Sequence, residues 1–405
     1  MAAYSTSQTT FFVGRDTELN DIAELINNPL CRLLTLTGPG GIGKTRLAIE
    51  VSQRQNGAFA DGYCFIPLQP LHSHEFIVSA TVDSLRFPFS PNRDLFEQLL
   101  EYLSDKSLLL VVDNFEHLLD GVHLLSEILA HAPDVKILTT SRERLNLVEE
   151  WVYEVGGLSF PTSEAETKIE DYGAVQLFMQ NARRVHRGFT LTQTQKSAVN
   201  RICRLVGGMP LGIELSSVWV RVLSCEVIAD EITHSLDILE TPVRNLAPRH
   251  RNMRAAFEPT WHRLTGEERS VFMKLSVFRG GFTRDSAGYV AGATLQTLSA
   301  LVDKSLVHLD TNGRFSIHEL LRQYGEEHLN ASPHVCEQTL DLHRAYFMGI
   351  LAICHKLIVF LGQQKEAFGK IKHELDNVRM AWRRSIQHGH FEEMTTAIEG
   401  LWSFY

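Results

Sequence analysis

The chain has 405 residues, 44% hydrophobic and 21% charged, the composition of a folded protein; at about 100–200 residues per domain it holds two to four domains. A formal net charge of -9 argues against a nonspecific grip on nucleic acid or on an anionic membrane. The six cysteines are scattered without a Cys-x-x-Cys pair, there is no signal-peptide pattern, and the longest apolar stretch, Met348 to Leu361, is broken by His355 and Lys356. These features lead to the expectation of a soluble, cytoplasmic protein with reduced thiols, no zinc site and no membrane contact.

Residues 1–10 are polar and read as a flexible N-terminus. From there to residue 160, short apolar strands alternate with helical segments, the pattern of an α/β domain with a parallel sheet. Strands are predicted at Arg32–Leu36, Tyr63–Leu68, Leu108–Asp113, Lys136–Thr140 and Trp151–Val155. Between the first strand and the helix starting at Lys44 lies Gly38-Pro39-Gly40-Gly41-Ile42-Gly43-Lys44-Thr45, which fits G-x-x-x-x-G-K-[ST] at every fixed position. Backbone N–H groups of such a turn converge on an anion at a helix N-terminus, so the expected ligand is a nucleoside triphosphate. Lys44 is expected to neutralise the β- and γ-phosphates and Thr45 to hold Mg²⁺.

The third strand is a continuous apolar run ending in Asp113, as expected for a strand buried on both faces with its acid at the carboxyl edge of the sheet. Asp113 is therefore the second candidate Mg²⁺ ligand, acting through water. Its neighbour is Asn114, whose amide can orient water but cannot take its proton, so hydrolysis is expected to be slow unless Glu116 or a partner subunit supplies the base. The plain alternative for Asn114 is a helix cap. The fourth strand runs into Thr139-Thr140-Ser141-Arg142, and Arg142, always charged and able to fork onto phosphate oxygens, is the candidate γ-phosphate sensor, with Arg144, two residues later, as the alternative.

Residues Tyr172 to Leu239 read as strongly helical, framed by Pro161 on one side and by Pro242 and Pro248 on the other. Between Thr265 and Leu329 the pattern is helix, helix, then Leu306–Leu309 and Arg314–Ile317 around a Thr311-Asn312-Gly313 turn, which reads as a winged helix. Winged helices often bind DNA, but Ala256 to Leu329 carries eight Lys or Arg against nine Asp or Glu. With no basic stripe, an intramolecular lid is the preferred reading. After Pro333 the chain is helical again with no visible repeat period. It stops at Leu401-Trp402-Ser403-Phe404-Tyr405 without a capping signal, so it is expected to be part of a longer protein.

Taken together, these motifs resemble the signal-transduction ATPases with numerous domains (STAND), in particular the NB-ARC-like group of plant disease-resistance proteins, the apoptotic protease-activating factor and large bacterial regulators. Three more segments carry the resemblance: Phe12-Val13-Gly14-Arg15-Asp16-Thr17-Glu18-Leu19, similar to the hhGRxxEL stretch; Gly207-Gly208-Met209-Pro210-Leu211, similar to GLPL; and Ile317-His318-Glu319, where relatives carry Met-His-Asp. His373-Glu374-Leu375-Asp376-Asn377-Val378-Arg379 is similar to the start of the helical repeats of bacterial relatives.

The resemblance implies a multidomain α/β plus α protein: a P-loop nucleotide-binding domain (11–160), a helical domain (161–250), a winged-helix domain (251–330) and a helical linker or the start of TPR-like repeats (331–405). Val13, Gly14 and Arg15 would lie against adenine and ribose, Gly38, Gly40, Gly41, Ile42, Gly43, Lys44, Thr45 and Arg46 around the phosphates, Pro210 and Leu211 on the adenine, and His318 on the β-phosphate of ADP. Lys44, Asp113, Asn114 and Arg142 would form the catalytic set, with Thr45 and Asp113 on Mg²⁺. The implied function is an ATP/ADP-dependent switch, closed with ADP and oligomerising with itself on exchange for ATP, with an effector or ligand engaged through the helical repeats. A continuously turning-over ATPase and a DNA-binding transcriptional regulator are the alternatives.

Overall fold

The computed structural model describes residues 12–163, 166, 168–241, 250–359, 363–391 and 394–395. The predicted flexible N-terminus, the boundary prolines Pro242 and Pro248, and the terminal Leu401–Tyr405 stretch lie outside the described residues. The chain divides into two compact units, Met1–Ala256 and Phe257–Tyr405.

In the first unit, a five-stranded parallel sheet of order β2-β3-β4-β1-β5 is made by β1 (Leu33–Thr37), β2 (Tyr63–Pro67), β3 (Leu108–Asp113), β4 (Val135–Thr140) and β5 (Glu150–Glu154). Every strand lies within one residue of its predicted bounds. The apolar runs of β1 and β3 are buried at every position, because internal parallel strands are covered on both faces, while β5, at one edge, is polar and partly exposed. Helices α1 (Asp16–Asn27), α2 (Lys44–Arg54), α3 (Ile77–Leu85), α4 (Leu95–Ser104) and α5 (His123–His131) accompany the sheet. Leu99 and Leu103 of α4 and Leu125, Ile128 and Leu129 of α5 pack with Leu108, Leu110 and Ile137 into one core, each side chain contributing about 1.5–3 kcal/mol of transfer free energy.

Two basic side chains lock helix ends to the sheet. The Arg32 guanidinium donates to the carbonyls of Leu129 (2.8 Å), Ala132 and Val135 (3.0 Å), and Lys136 Nζ donates to Ile26 O and Asn28 O, both at 2.6 Å. Apart from Val135 O, which belongs to β4, those are carbonyls that α5 and α1 cannot satisfy themselves, at the ends where the helix dipole favours a cation. Beyond the sheet come α6 (Gly173–Val185), α7 (Gln193–Leu205), α8 (Pro210–Ser217) and α9 (Cys225–His234), and α10 (Met253–Arg263) leads out of the first unit.

The second unit holds α11 (Gly266–Leu275), α12 (Arg284–Ala291), α13 (Leu295–Asp303), the antiparallel pair β6 (His308–Leu309) and β7 (Phe315–Ser316), and α14 (Glu319–Asn330). Thr265, Thr283 and Thr294 cap α11, α12 and α13 through their side chains. The hairpin strands are shorter than predicted, since β7 turns to a second partner: Phe315 and Phe282 exchange both backbone hydrogen bonds, at 2.8 and 2.9 Å. Three helices follow: α15 (Pro333–Val359), α16 (Gln364–His373) and α17 (Leu375–Gln387). Among the described residues no helix is long and apolar enough to cross a membrane.

A polar knot ties these helices to the 279–282 segment. Asn377 is fully buried; its Oδ1 accepts from Arg279 N (2.8 Å) and lies 3.2 Å from His343 Nε2, and its Nδ2 donates to Gly281 O (2.9 Å) and Glu374 Oε2 (3.1 Å). Glu374 in turn receives both guanidinium ends of Arg314, at 2.6 and 2.8 Å. Burial pushes the His343 imidazole down to about 4, with the Asn377 bond opposing and Arg279 reinforcing.

An unfolded chain takes up that proton near pH 6.5, before the folded one can, so stability present above this pH is lost as the pH falls toward 4. The expected loss is about 3 kcal/mol over the full window. Chemical denaturation at pH 6.5, 5.5 and 5 should show it, with a shallower slope in His343→Gln; an identical slope in the variant assigns the effect to other groups.

Candidate functional site

The site is built where β1 ends. A buried apolar strand delivers the chain to Gly38, and the loop then turns through positive φ at Gly38 (148°), Gly41 (85°) and Gly43 (93°), which glycine alone adopts without strain. Gly43 is also the N-cap of α2 and has no side chain to cap with. The first-turn N–H groups of Lys44, Thr45 and Arg46 are those a helix cannot satisfy internally, and they carry the positive end of its dipole. Lys44 Nζ arches over the loop, donating to Gly38 O (2.6 Å) and Pro39 O (3.1 Å).

At the sheet edge below, Thr45 Oγ1 donates to Asp113 Oδ1 at 2.7 Å, and Thr140 Oγ1 donates to the same oxygen at 2.6 Å. A hydroxyl and a carboxylate side by side are hard oxygen donors of the kind Mg²⁺ takes, leaving its remaining positions to water and phosphate. No group of three or more His, Cys, Asp or Glu that could hold a metal ion occurs among the described residues. Amide donors, an ammonium and this oxygen pair fit a polyphosphate carrying Mg²⁺.

Asn114 follows β3 in the left-handed conformation (φ 70°, ψ 53°), one that Asn tolerates better than most residues. Its N–H donates to Thr140 Oγ1 (2.9 Å), and its side-chain Nδ2 lies 3.3 Å from His117 Nδ1. The helix-cap alternative does not hold, since Asn114 makes no side-chain cap bond to the short 3-10 turn that follows. Arg142 is buried: its Nε donates to Glu116 Oε1 (2.9 Å) and its Nη1 to the Ala256 carbonyl (2.6 Å). The same Nη1 lies 3.0 Å from where a Cβ on Gly40 would stand, so the guanidinium flanks the glycine loop.

Arg15, at φ 68° before α1, buries its guanidinium and donates to Ile42 O (2.8 Å) and Gly156 O (3.0 Å), bracing the loop from behind. Burial lowers its pKa, and Glu18 opposes the shift. Gly14 brings its Cα face against Gly173, and Val13 is part-buried beside it. Phe12 places its ring 5.8 Å from the Arg46 guanidinium. Burial pushes the Glu214 carboxyl up, with Arg46 and Arg184 opposing, and pulls Arg46 down, with Glu214 and Glu50 opposing.

The proline motif closes the other side of the loop. Pro210 is the first residue of α8, where its missing N–H costs nothing, and its Cγ is 3.7 Å from the Cβ position of Gly43. Leu211 N donates to Gly41 O (3.2 Å), so an otherwise unused helix donor satisfies a loop carbonyl, and the Leu211 side chain covers Gly41. The helix is held in register by Gly207 and Gly208, both at positive φ, against Gly157 and Leu158.

The first unit thus brings together Arg15, the loop from Gly38 to Arg46, Asp113, Asn114, Arg142, Pro210 and Leu211. His318 belongs to the second unit, where it is the N-cap of α14 and its Nδ1 accepts from Leu320 N (3.2 Å). An accepting Nδ1 leaves the proton of the neutral ring on Nε2. Sequence reading assigned no role to Thr140, Glu214 or the Ala256 carbonyl. Thr140 and Glu214 lie inside motifs that were legible, but a backbone carbonyl leaves no trace in residue types.

No family model matches the chain. Over 335 residues, 80% of this chain and 82% of the relative, it is 31% identical to the uncharacterized protein Rv0894 of Mycobacterium tuberculosis. Over 385 residues, 92% of this chain, it is 32% identical to Rv0890c of the same organism, which carries the name of an HTH-type transcriptional regulator; the chain spans 42% of that relative's length. It is 27% identical over 345 residues to the disease resistance protein RRS1 of Arabidopsis thaliana, covering 80% of this chain and 24% of that protein. A solved STAND protein with a tetratricopeptide repeat sensor, PH0952 from Pyrococcus horikoshii, aligns with 96% of this chain and 58% of its own at 16% identity and a TM-score of 0.34.

The register of α8 depends on glycine where a Cβ has no room: at Gly208 (φ 66°) it would stand 2.1 Å from Leu158 O. Gly208→Ala is expected to destabilise the chain by about 2 kcal/mol or more, through left-handed strain and backbone collision. Gly57→Ala, with nothing within 4 Å, is the matched control and should stay within about 0.5 kcal/mol of wild type in the same denaturation experiment.

Proposed function

The chain belongs to the same family as the mycobacterial protein Rv0894, and we propose that it is a STAND-like P-loop NTPase working as an ATP/ADP-dependent switch. The observation that carries this reading is the Thr45–Asp113 pair, 2.7 Å apart directly beneath the glycine loop and the donor end of α2. Lys44 and the α2 amides hold the phosphates, Thr45 and Asp113 hold Mg²⁺, and Arg142 reports a third phosphate. Asn114 orients water without accepting its proton, and Glu116, the next acid along the chain, is already engaged by Arg142, so hydrolysis is slow and acts as a timer.

Pro210 and Leu211, bound to the loop, make the helical segment sensitive to what the loop holds. His318, with its donor on Nε2, is the contact offered by residues 251–330, the winged-helix segment, and it favours the ADP state. ATP opens the protein only if the open form binds it more tightly, by the tens-fold that a coupling of about 2 kcal/mol supplies. The open form associates with other copies of itself in the cytoplasm, and effectors act through the helices after residue 330. A second reading, a DNA-binding regulator, is favoured by the name of the relative Rv0890c and opposed by the acidic balance of residues 256–329.

Denaturing the freshly purified chain and identifying the released nucleotide by chromatography tests the switch; near-stoichiometric ADP is expected. Lys44→Ala should lose that nucleotide, with affinity down about a hundredfold. His318→Ala should release ADP faster and elute as a larger species. A variant that stays monomeric with ADP held as tightly as wild type removes the latch, and salt-sensitive duplex binding by the wild-type chain would favour the regulator reading.

A further inference from the structure

Gly40 occupies a variable position of the phosphate loop, and unlike Gly38, Gly41 and Gly43 it does not sit at positive φ. Neither the motif nor the backbone requires a glycine there. Space does: a Cβ on Gly40 would stand 2.2 Å from the Ala256 carbonyl oxygen and 3.0 Å from Arg142 Nη1. Three groups distant in sequence therefore meet at one point of the first unit, the loop backbone, the Arg142 guanidinium and the carbonyl of that unit's last residue.

We propose that Arg142 is a two-position sensor, its guanidinium holding the Ala256 carbonyl in one nucleotide state and the terminal phosphate of a bound nucleoside triphosphate in the other, with Glu116 as the positioning residue that keeps it within reach of both. This rests on the switch reading above.

Glu116 grips the Nε edge at 2.9 Å, in an ion pair buried on both sides, and Nη1 lies on the side of the loop. Arg142 Nη1 now serves a neutral acceptor. A phosphate oxygen in the loop is an anionic acceptor for the same donor, and it adds ion-pair attraction and fork geometry that a neutral carbonyl does not offer. When Arg142 turns to the phosphate, the buried Ala256 carbonyl loses this charged donor from outside its helix.

The start of the helix that carries this carbonyl is already short of one internal bond. Pro259 lies inside α10 and has no N–H for the Ala255 carbonyl one turn earlier. The start of α10 depends instead on outside bonds: Asn252 Oδ1 accepts from Ala255 N (2.6 Å), Met253 N donates to Leu239 O (3.1 Å), and Arg142 donates to Ala256 O. Exchange of the Arg142 bond would loosen this start, where the chain leaves the nucleotide-binding unit.

The test is hydrogen–deuterium exchange of the peptide covering Met253–Arg263 in the full chain, saturated with Mg²⁺ and either ADP or a non-hydrolysable ATP analogue. In wild type, exchange with the analogue is expected to exceed that with ADP by about fivefold or more, the low end of ordinary coupling. In Glu116→Gln, which keeps the shape and removes the charge, the difference should fall below about twofold, with ADP still bound. Gly40→Ala should exchange fast with either nucleotide, because the methyl displaces Ala256. Equal exchange in wild type with both nucleotides demonstrably bound overturns the two-position sensor and leaves the switch standing, as does a Glu116→Gln protein that keeps the wild-type difference. Failure of wild type to bind either nucleotide overturns the switch reading itself.

Discussion

The first unit is organised by a loop that must be approached closely by backbone and small apolar groups from several directions at once. Arg15 holds it from behind at Ile42 O, Leu211 caps it at Gly41 O, Pro210 sits by Gly43, and Ala256 presses its carbonyl against Gly40. A side chain on Gly40 or Gly41 would push these partners away, so the glycines serve two purposes. Some admit the positive φ that curls amides toward an anion, and others let distant segments reach the loop. Helix α8 and the start of α10 are thereby attached to the phosphate-binding turn itself.

Asp113 shows how burial and chemistry are divided along one strand. The apolar residues of β3 secure its place inside the sheet, and the acid comes at the last position, where the sheet edge supplies hydroxyls. Thr45 and Thr140 both donate to one carboxylate oxygen, and Thr140 also accepts from the Asn114 amide. A buried charge with several hydrogen bonds is tolerated where an isolated one is not. This network also fixes Asn114 in its left-handed turn, so the residue that follows Asp113 is held by its backbone as well as by the His117 contact.

The second unit depends on polar groups in a comparable way. Asn377 uses both ends of its amide, and the surrounding Arg314–Glu374 pair, His343 and the 279–281 backbone leave little freedom in how α15 and α17 meet the hairpin. Such a network specifies a single arrangement when fully satisfied and is costly when a member is lost. The segment from His373 to Arg379, which resembles the start of helical repeats, is in this protein the clasp between the late helices and the hairpin.

The five strands, their parallel pairing and the glycine loop were legible in the sequence by itself, because continuous apolar runs and a phosphate-loop pattern with fixed spacing are local signals that tertiary packing rarely overrides. The pairing of Thr45 with Asp113 was legible too, since each ends or begins an element at the same sheet edge. What Arg142 touches, why Gly40 is glycine, and why Asn114 caps nothing were decided only by the tertiary structure. Each depends on a backbone atom or a dihedral angle supplied by folding, Ala256 O from 114 positions away in one case and a left-handed turn in the other, and neither a carbonyl nor a φ angle is written in residue types.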